Sequence, residues 1–467
     1  MSKYEQYSEY TETGISWIGS IPKHWELVPL RAVLQFRNEK NDPVKTSNIL
    51  SLSIAKGVTL YSEEGRSGNK RKDDITAYKI AHPNDIVLNS MNIVVGAVGV
   101  SKYFGAISPV YYALHTYKKE TSLKYYASIF HNSSFQKDLL RFGKGILIKI
   151  SDNGKLNTIR MKVSQEDLKG MYFPRPPFKE QTQIAAFLDH ETAKIDTLIH
   201  KQQRLIELLK EKHQAVISHT VTKGLNLDAP MKDSGVEWLG EVPEHWDVKP
   251  LRYLGNCQNG INIGAESFGS GYPFISYGDA YKNIALPKVA SGLVQSTKND
   301  RVSYSLNIGD VLFTRTSETI EEIGLSSTCL QKIDNAVFAG FLIRFRPFDN
   351  LLNSTYSKFY FRNQILRAFF IKEMNLVTRA SLSQELLKKL SVTLPPLVEQ
   401  KKIGDYLDKK EHTFNKLILK SNNKIDLLKE RRTALISAAV TGKIDVRNWV
   451  APTTSSDTNE VAQEVTA

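Results

Sequence analysis

Two stretches of the chain return an apolar residue every three or four positions, with no proline to interrupt them. Within residues 182–222, Ile184, Leu188, Ile195, Leu198, Leu205, Leu209 and Val216 fall on one seam of average spacing 3.5, broken by Glu191, Gln202 and Lys212. Within residues 401–441, Ile403, Leu407, Phe414, Leu417, Leu428 and Leu435 do the same, broken by Lys410, Ser421, Lys424 and Arg431. This period predicts two long helices of coiled-coil character with polar defects in the seam. Pro176-Pro177 and Pro395-Pro396 stand just ahead and limit where each helix can begin. Gly224 supplies a stop after the first. At 1.5 Å per residue each rod is about 60 Å long. A rod of that length must bury its apolar stripe, and the partner on offer is the other rod, laid antiparallel about an internal pseudo-twofold axis.

The segments between the rods read differently. Short apolar runs with polar or glycine breaks, at 85–88, 93–98, 272–277, 309–314 and 338–345, predict strands. Helical patterns cover 123–140 and 352–371. The fold class is therefore α+β: two globular domains, mostly sheet, separated by two long helices. The divisions fall at 1–172 for the first globular domain, 173–225 for the first helix, 226–392 for the second globular domain and 393–448 for the second helix. The tail 449–467 is rich in Thr, Ser and Glu, lacks an apolar pattern and is expected to be disordered.

The chain repeats itself. Residues 14–31 read GISWIGSIPKHWELVPLR and residues 235–252 read GVEWLGEVPEHWDVKPLR, with nine of eighteen positions identical at a constant offset of 221. A second block matches at offset 219: Ser164-Gln165-Glu166 with Ser383-Gln384-Glu385, Pro176-Pro177 with Pro395-Pro396, and Glu180-Gln181 with Glu399-Gln400. The copies converge again at LLKEKHQAVISHTVTKG (208–224) and LLKERRTALISAAVTGK (427–443). Between these ends, residues 35–155 and 256–375 align poorly, apart from a faint echo of NDIVLN (84–89) in GDVLFT (309–314). A fixed frame with a changeable filling is the pattern of two sites of one kind with two specificities. Drift after duplication would not spare the ends so selectively.

Charge narrows the partner. The 467 residues leave room for two or three domains, and the formal charge is +13. The two rod segments carry +1 and +5 and the tail −3, so +10 remains for the globular domains. A chain this basic points to a polyanion, nucleic acid before a membrane surface. Two cysteines are too few for a disulfide scaffold or a Cys-rich zinc site. No apolar run is long enough to span a membrane. The first fourteen residues are polar and acidic, unlike a signal peptide. A cytoplasmic protein, with no membrane partner, is expected.

The catalytic motifs fail on their chemistry. Arg175-Pro176-Pro177-Phe178 resembles an amino-methyltransferase signature that begins with Asn or Asp. That first side chain must accept from the target amine, which arginine cannot do, and the repeat has Leu394 there. Val95-Gly96-Ala97-Val98-Gly99 lacks the spacing of a cofactor loop. There is no phosphate-binding Gly-x-x-x-x-Gly-Lys-Ser/Thr, and no His-Glu-x-x-His to hold zinc. No catalytic residue, cofactor or metal is assigned to this chain, and His24 and His245 are read as structural.

Candidates for DNA contact lie in the globular domains. Arg66, Asn69, Lys70, Arg71 and Lys72 form a glycine-containing basic run suited to tracking phosphates, although a solvated loop reads the same way. Asn89 and Asn92 follow a predicted strand, and their amides can read adenine edges. Arg315 and Thr316 occupy the similar place in the second half, where Arg315 can pair with guanine or serve in a structural ion pair. Arg141, Lys144 and Lys149 are weaker candidates. Arg160 and Arg379 match across the repeat, which suits a shared task such as phosphate contact.

The doubled, ordered set of Trp-Ile/Leu-Gly-x-Ile/Val-Pro-x-His-Trp, Ser-Gln-Glu, Pro-Pro-x-x-Glu-Gln-x-x-Ile and a long helix resembles the specificity subunit of type I restriction-modification enzymes, over about residues 12–448. The resemblance implies that each variable region is a target recognition domain reading one half of a bipartite site in double-stranded DNA. It implies that the helices pair antiparallel, set the half-site spacing and dock two modification (methyltransferase) subunits. A motor-nuclease restriction subunit would complete the complex, in a bacterial or archaeal cytoplasm. S-adenosylmethionine, ATP and Mg would belong to those partners. The reading that competes with it is a stand-alone, two-headed DNA-binding scaffold with no methyltransferase partner.

Overall fold

The computed structural model describes residues 4–54, 56–62, 74–146, 160–317, 322–373 and 380–451. The chain divides into two compact units, one of residues 1–202 with 423–467 and the other of residues 203–422. The division does not follow the expected boundaries between globular domain and helix. It cuts through both long helices, because each globular region packs on the beginning of one helix and the end of the other.

In the first unit a four-stranded antiparallel sheet is built from β1 (Gln35–Arg37), β2 (Ile86–Asn89), β3 (Val98–Val100) and β4 (Tyr111–His115), in the order β1-β4-β2-β3. Helix α1 (Leu123–Phe130) follows, capped by the Ser122 side chain. A hairpin of β5 (Lys144–Ile146) and β6 (Arg160–Lys162) comes next, and then the long helix α2 (Phe178–Lys223). The second unit repeats the plan. Strands β7 (Gly255–Asn259), β8 (Val311–Thr314), β10 (Ser326–Thr328) and β11 (Leu342–Pro347) form a sheet in the order β7-β11-β8-β10. The short strands β9 (Thr316–Ser317) and β12 (Ala380–Ser381) pair with each other. Helix α3 (Ser354–Arg362) and the second long helix α4 (Leu397–Val440) complete the unit. The weakly aligned fillings thus share one sheet topology. One expected strand is not found: 93–98 turns into a 3-10 turn at Ile93–Val95, ended by Gly96 at φ 82°, before β3 begins.

In both units a buried aspartate pins the sheet at the start of its central strand. Asp85 accepts two hydrogen bonds from the Arg37 guanidinium, at 2.7 and 3.0 Å, and one from His82 N. Asp310 accepts two from Arg346, at 2.7 and 2.6 Å, and one from Asn307 N. The arginine comes from β1 in one unit and from β11 in the other, so the charge pair is kept while its strand is not.

The repeated sequence blocks are explained by one clamp built twice. Glu180, on the first turn of α2, accepts from Trp25 Nε1 at 2.8 Å and Tyr7 OH at 3.1 Å, and lies 2.7 Å from His24 Nε2. Glu399, on the first turn of α4, accepts from Trp246 Nε1 at 3.1 Å and lies 2.9 Å from His245 Nε2. The two histidines are therefore tied to the frame. Gln181 and Gln400 do the neighbouring work. Each donates to the carbonyl of the first proline in its Pro-Pro pair, and each accepts a backbone N–H at the start of the helix that packs there, from Ser122 and Asn353. Tyr125 OH bonds Pro174 O and Val440 O, while its counterpart Tyr356 OH bonds Thr393 O and Val221 O.

Both long helices start four residues before the expected positions, immediately after the prolines. Pro177 O and Pro396 O accept the first helical N–H groups. A proline costs nothing there, since its missing N–H would have no partner in a first turn. The helices run antiparallel inside each unit. In the first, Ile184, Leu188 and Ile195 share a core with Leu428, Leu435 and Ile436, and Asp196 pairs with Arg432 at 3.0 Å. In the second, His213 stacks on Phe414 at 4.9 Å, and Ile217 and Val221 share a core with Ile403 and Leu407.

The seam is not the one a strict 3.5 spacing selects. Leu205 and Leu417 are exposed, whereas Ile217, Val221 and Ile425, which lie off that seam, are buried. A straight helix drifts by about 20° per heptad from a 3.5 repeat, so over this length the buried face moves by one position. Trp449, at the head of the expected tail, packs its ring 5.4 Å from Phe187 and belongs to the first unit.

Candidate nucleic-acid interface

The end of each central strand meets two other segments at a single junction residue. In the first unit that residue is Ser90. Its N–H and hydroxyl both donate to Val110 O, at 3.3 and 2.6 Å, and its own carbonyl accepts from Val163 N at 3.1 Å. In the second unit the junction residue is Arg315. Its N–H donates to Phe341 O at 3.0 Å and its carbonyl accepts from Leu382 N at 2.7 Å. The same backbone pattern thus draws together the strand end, a turn before the next strand and the stretch leading into the Ser-Gln-Glu motif.

The segments that meet at the first junction carry three lysines with no ion pair among the described residues. Lys144 and Lys162 lie directly opposite each other in the β5/β6 hairpin. Like charges facing across an antiparallel pair destabilise it. Among the described residues neither makes an ion pair. Lys79 donates to Tyr111 O at 2.9 Å and sits 5.1 Å from the Tyr112 ring centroid. Burial, and then the nearby charge of Lys162, hold its ammonium below the ordinary lysine range. Three cations without a carboxylate among the described residues suit an incoming anion such as a phosphate.

Several of the sequence candidates meet at these junctions. Asn89 ends β2 next to Ser90, and its side-chain oxygen accepts from Met91 N, while its amide N–H groups have no partner among the described residues. Asn92 is exposed at the head of the following turn. Lys144 and Arg160 lie in the β5/β6 hairpin, Arg160 opposite Ile146. Arg315 is half-buried, with no side-chain hydrogen bond or ion pair among the described residues, and Thr316 pairs with Ser381. Arg141 is ion-paired with Asp138 at 2.6 Å. Arg66, Asn69, Lys70, Arg71, Lys72, Lys149 and Arg379 lie outside the described residues. Arg175, in the rejected methyltransferase-like motif, is paired with Glu26.

Sequence reasoning missed Lys79, Lys162, Ser90, Val110 and Phe341. Lys162 is two residues from the repeated Ser-Gln-Glu block, a signal that was present. Ser90 adjoins the candidate Asn89 in the sequence, whereas Lys79, Val110 and Phe341 are joined to the site only by the fold. Among the described residues no group of His, Cys, Asp and Glu could hold a metal ion, and no helix is long and apolar enough to cross a membrane.

Comparison with known proteins gives one consistent answer. Residues 243–427 match the family model of the type I restriction modification DNA specificity domain. The chain is 22% identical over 473 residues to a putative type I restriction enzyme specificity subunit of Methanocaldococcus jannaschii, covering 92% of this chain and 96% of that one. It is 26% identical over 266 residues to the EcoKI specificity subunit of Escherichia coli, covering 54% of each chain. Its fold matches a chain from a structure concerned with complex assembly and conformational transition of the type I R-M system, with TM-score 0.67 and 15% identity, over 91% of this chain and 99% of that one. It also matches the HsdS subunit from Thermoanaerobacter tengcongensis, with TM-score 0.52 and 14% identity, over 91% and 98%. Residues 243–427 thus match a type I restriction modification DNA specificity domain, and the chain as a whole is similar in sequence and fold to specificity subunits of type I restriction-modification systems.

Proposed function

We propose that this chain is the DNA-reading, non-catalytic subunit of a type I restriction-modification complex, each unit reading one half of a bipartite site. The observation that carries this reading is the junction built twice with one backbone pattern and different side chains. Ser90 bonds the residue after Lys162 in one unit, and Arg315, with no side-chain partner among the described residues, takes its position in the other. A common backbone with exchanged side chains is what two related but distinct base-edge readers need, because phosphate contacts position a protein while groove contacts specify the sequence. Joining the two readers makes the second contact intramolecular, so two modest half-site affinities combine.

The long helices have the length to act as the spacer and to dock modification subunits. Leu205, Leu208, Leu417 and Leu419 are exposed on the helical segments of the second unit. Apolar residues at this density on charged helices suit burial by a partner. S-adenosylmethionine, ATP and Mg would be bound by those partners.

Co-expression with the modification subunits, followed by methylome sequencing, tests the reading. Replacing residues 35–155 with those of a relative should change one half-site and leave the other. Alteration of both half-sites by that single exchange, or a tagged chain that never retains a methyltransferase subunit, would overturn it and favour a stand-alone scaffold.

A further inference from the structure

A tight turn precedes the second strand of each sheet, and it presents one apolar side chain to solvent. In the second unit Leu342 N bonds Ala339 O at 3.0 Å, which closes a turn with Phe341 at its third position. Phe341 is 63% exposed. In the first unit Tyr111 N bonds Ser108 O at 2.9 Å, which closes the corresponding turn with Val110 at the same position, 38% exposed. An exposed hydrophobic residue is ordinary by itself. Three further features set these two apart.

First, both occupy the same place in two units whose fillings hardly align. Second, the carbonyl of each is the acceptor for its junction residue, Ser90 or Arg315, so the apolar side chain is held beside the position argued to meet DNA. Third, each turn is held firmly. Lys79 bonds the Tyr111 carbonyl at the end of the first. In the second, Ala339 N, at the head of the turn, donates to Ile275 O at 3.0 Å, and a Cβ on Gly260 would lie 2.1 Å from the Ala339 carbonyl oxygen, so the turn packs closely on a neighbouring backbone. Apolar side chains on a held turn, next to cations with no ion pair among the described residues, face an aqueous polyanion whose groove offers one apolar group, the thymine methyl.

We propose that Val110 and Phe341 are specificity-determining residues, each making the apolar base-edge contact of its unit with an A·T pair in duplex DNA. The proposal rests on the DNA-reading function above and assigns it to particular side chains. The small Val110 and the large Phe341 reach different depths into the groove, which lets the two half-sites differ although the backbone is shared.

The test uses the full chain with its modification subunits and a randomised pool of duplex oligonucleotides, with selected sequences read for wild type, Phe341→Ala, Phe341→Leu and Val110→Ala. Phe341→Ala should relax preference at one A·T position of one half-site and weaken binding of the wild-type sequence roughly 10-fold, the scale of one mismatched base pair. Its salt dependence should stay unchanged, since no charge is lost. Phe341→Leu should keep part of the preference, and Val110→Ala should act on the other half-site only. An unchanged motif and affinity for Phe341→Ala and Val110→Ala, with wild type still selecting a bipartite motif, would overturn this inference alone. A wild-type complex that selects no motif would overturn it together with the DNA-reading function.

Discussion

Replacing Glu180 by alanine should cost the first unit more than the matching change at Glu399 costs the second. Glu180 is 8% exposed and accepts from two donors that are themselves buried, Trp25 Nε1 and Tyr7 OH, besides its contact with the half-exposed His24. Burial, and then the neighbouring carboxylate, push the Tyr7 phenol above its ordinary value, so it remains a donor at every working pH. Alanine leaves both buried donors unpaired. Each orphaned donor costs about 1–3 kcal/mol, so Glu180→Ala should lose about 2–6 kcal/mol. Glu399 holds one fully buried donor, Trp246 Nε1, and Glu399→Ala should lose about 1–3 kcal/mol. In units of this size 1 kcal/mol moves a melting midpoint by roughly 2–4 °C. Thermal unfolding of the full chain, with hydrogen exchange to assign each transition to its unit, should show a fall of about 5 °C or more for Glu180→Ala. Glu399→Ala should show a smaller fall. Glu180→Gln, which keeps an acceptor oxygen, should lie between wild type and Glu180→Ala. A first-unit midpoint unchanged by Glu180→Ala would refute the claim that this carboxylate holds the frame together.

Two further outcomes follow from the charges in the first unit. Lys144→Ala and Lys162→Ala each remove one of two like charges that face across the β5/β6 hairpin, so each should leave thermal stability unchanged or slightly higher. Each should also weaken DNA binding and lower the slope of log affinity against log salt by about 0.9, whereas an unchanged slope would remove that lysine from the phosphate contacts. His131 is pushed down to about 4, by burial first and by the charge of Arg432 second. Below its ordinary value near 6.5 the unfolded chain takes up a proton that the native state refuses. The first unit should therefore lose on the order of 3 kcal/mol as the pH falls from about 7 to about 4. Denaturant melts across that range should show a shallower slope for His131→Gln, and equal slopes would rule the histidine out.

The sequence by itself determined the architecture. Repeated blocks, proline pairs and a helical period depend on local chemistry and spacing, so two α+β domains and two long helices are legible in the residues themselves. So was the structural role of His24 and His245, since each lies beside a tryptophan in a block that recurs with its glutamate. Tertiary structure alone decided which residues share a site. The Ser90 and Arg315 junctions join segments dozens of residues apart through backbone hydrogen bonds, and a backbone bond leaves no mark on residue type. That is why Val110 and Phe341, unremarkable in the sequence, stand beside the candidate DNA contacts. It is also why Leu205 and Leu417 fell on a predicted seam yet face outward: a 3.5-residue template accumulates angular error along a 3.6-residue helix, and only packing against a partner shows where the buried face has moved.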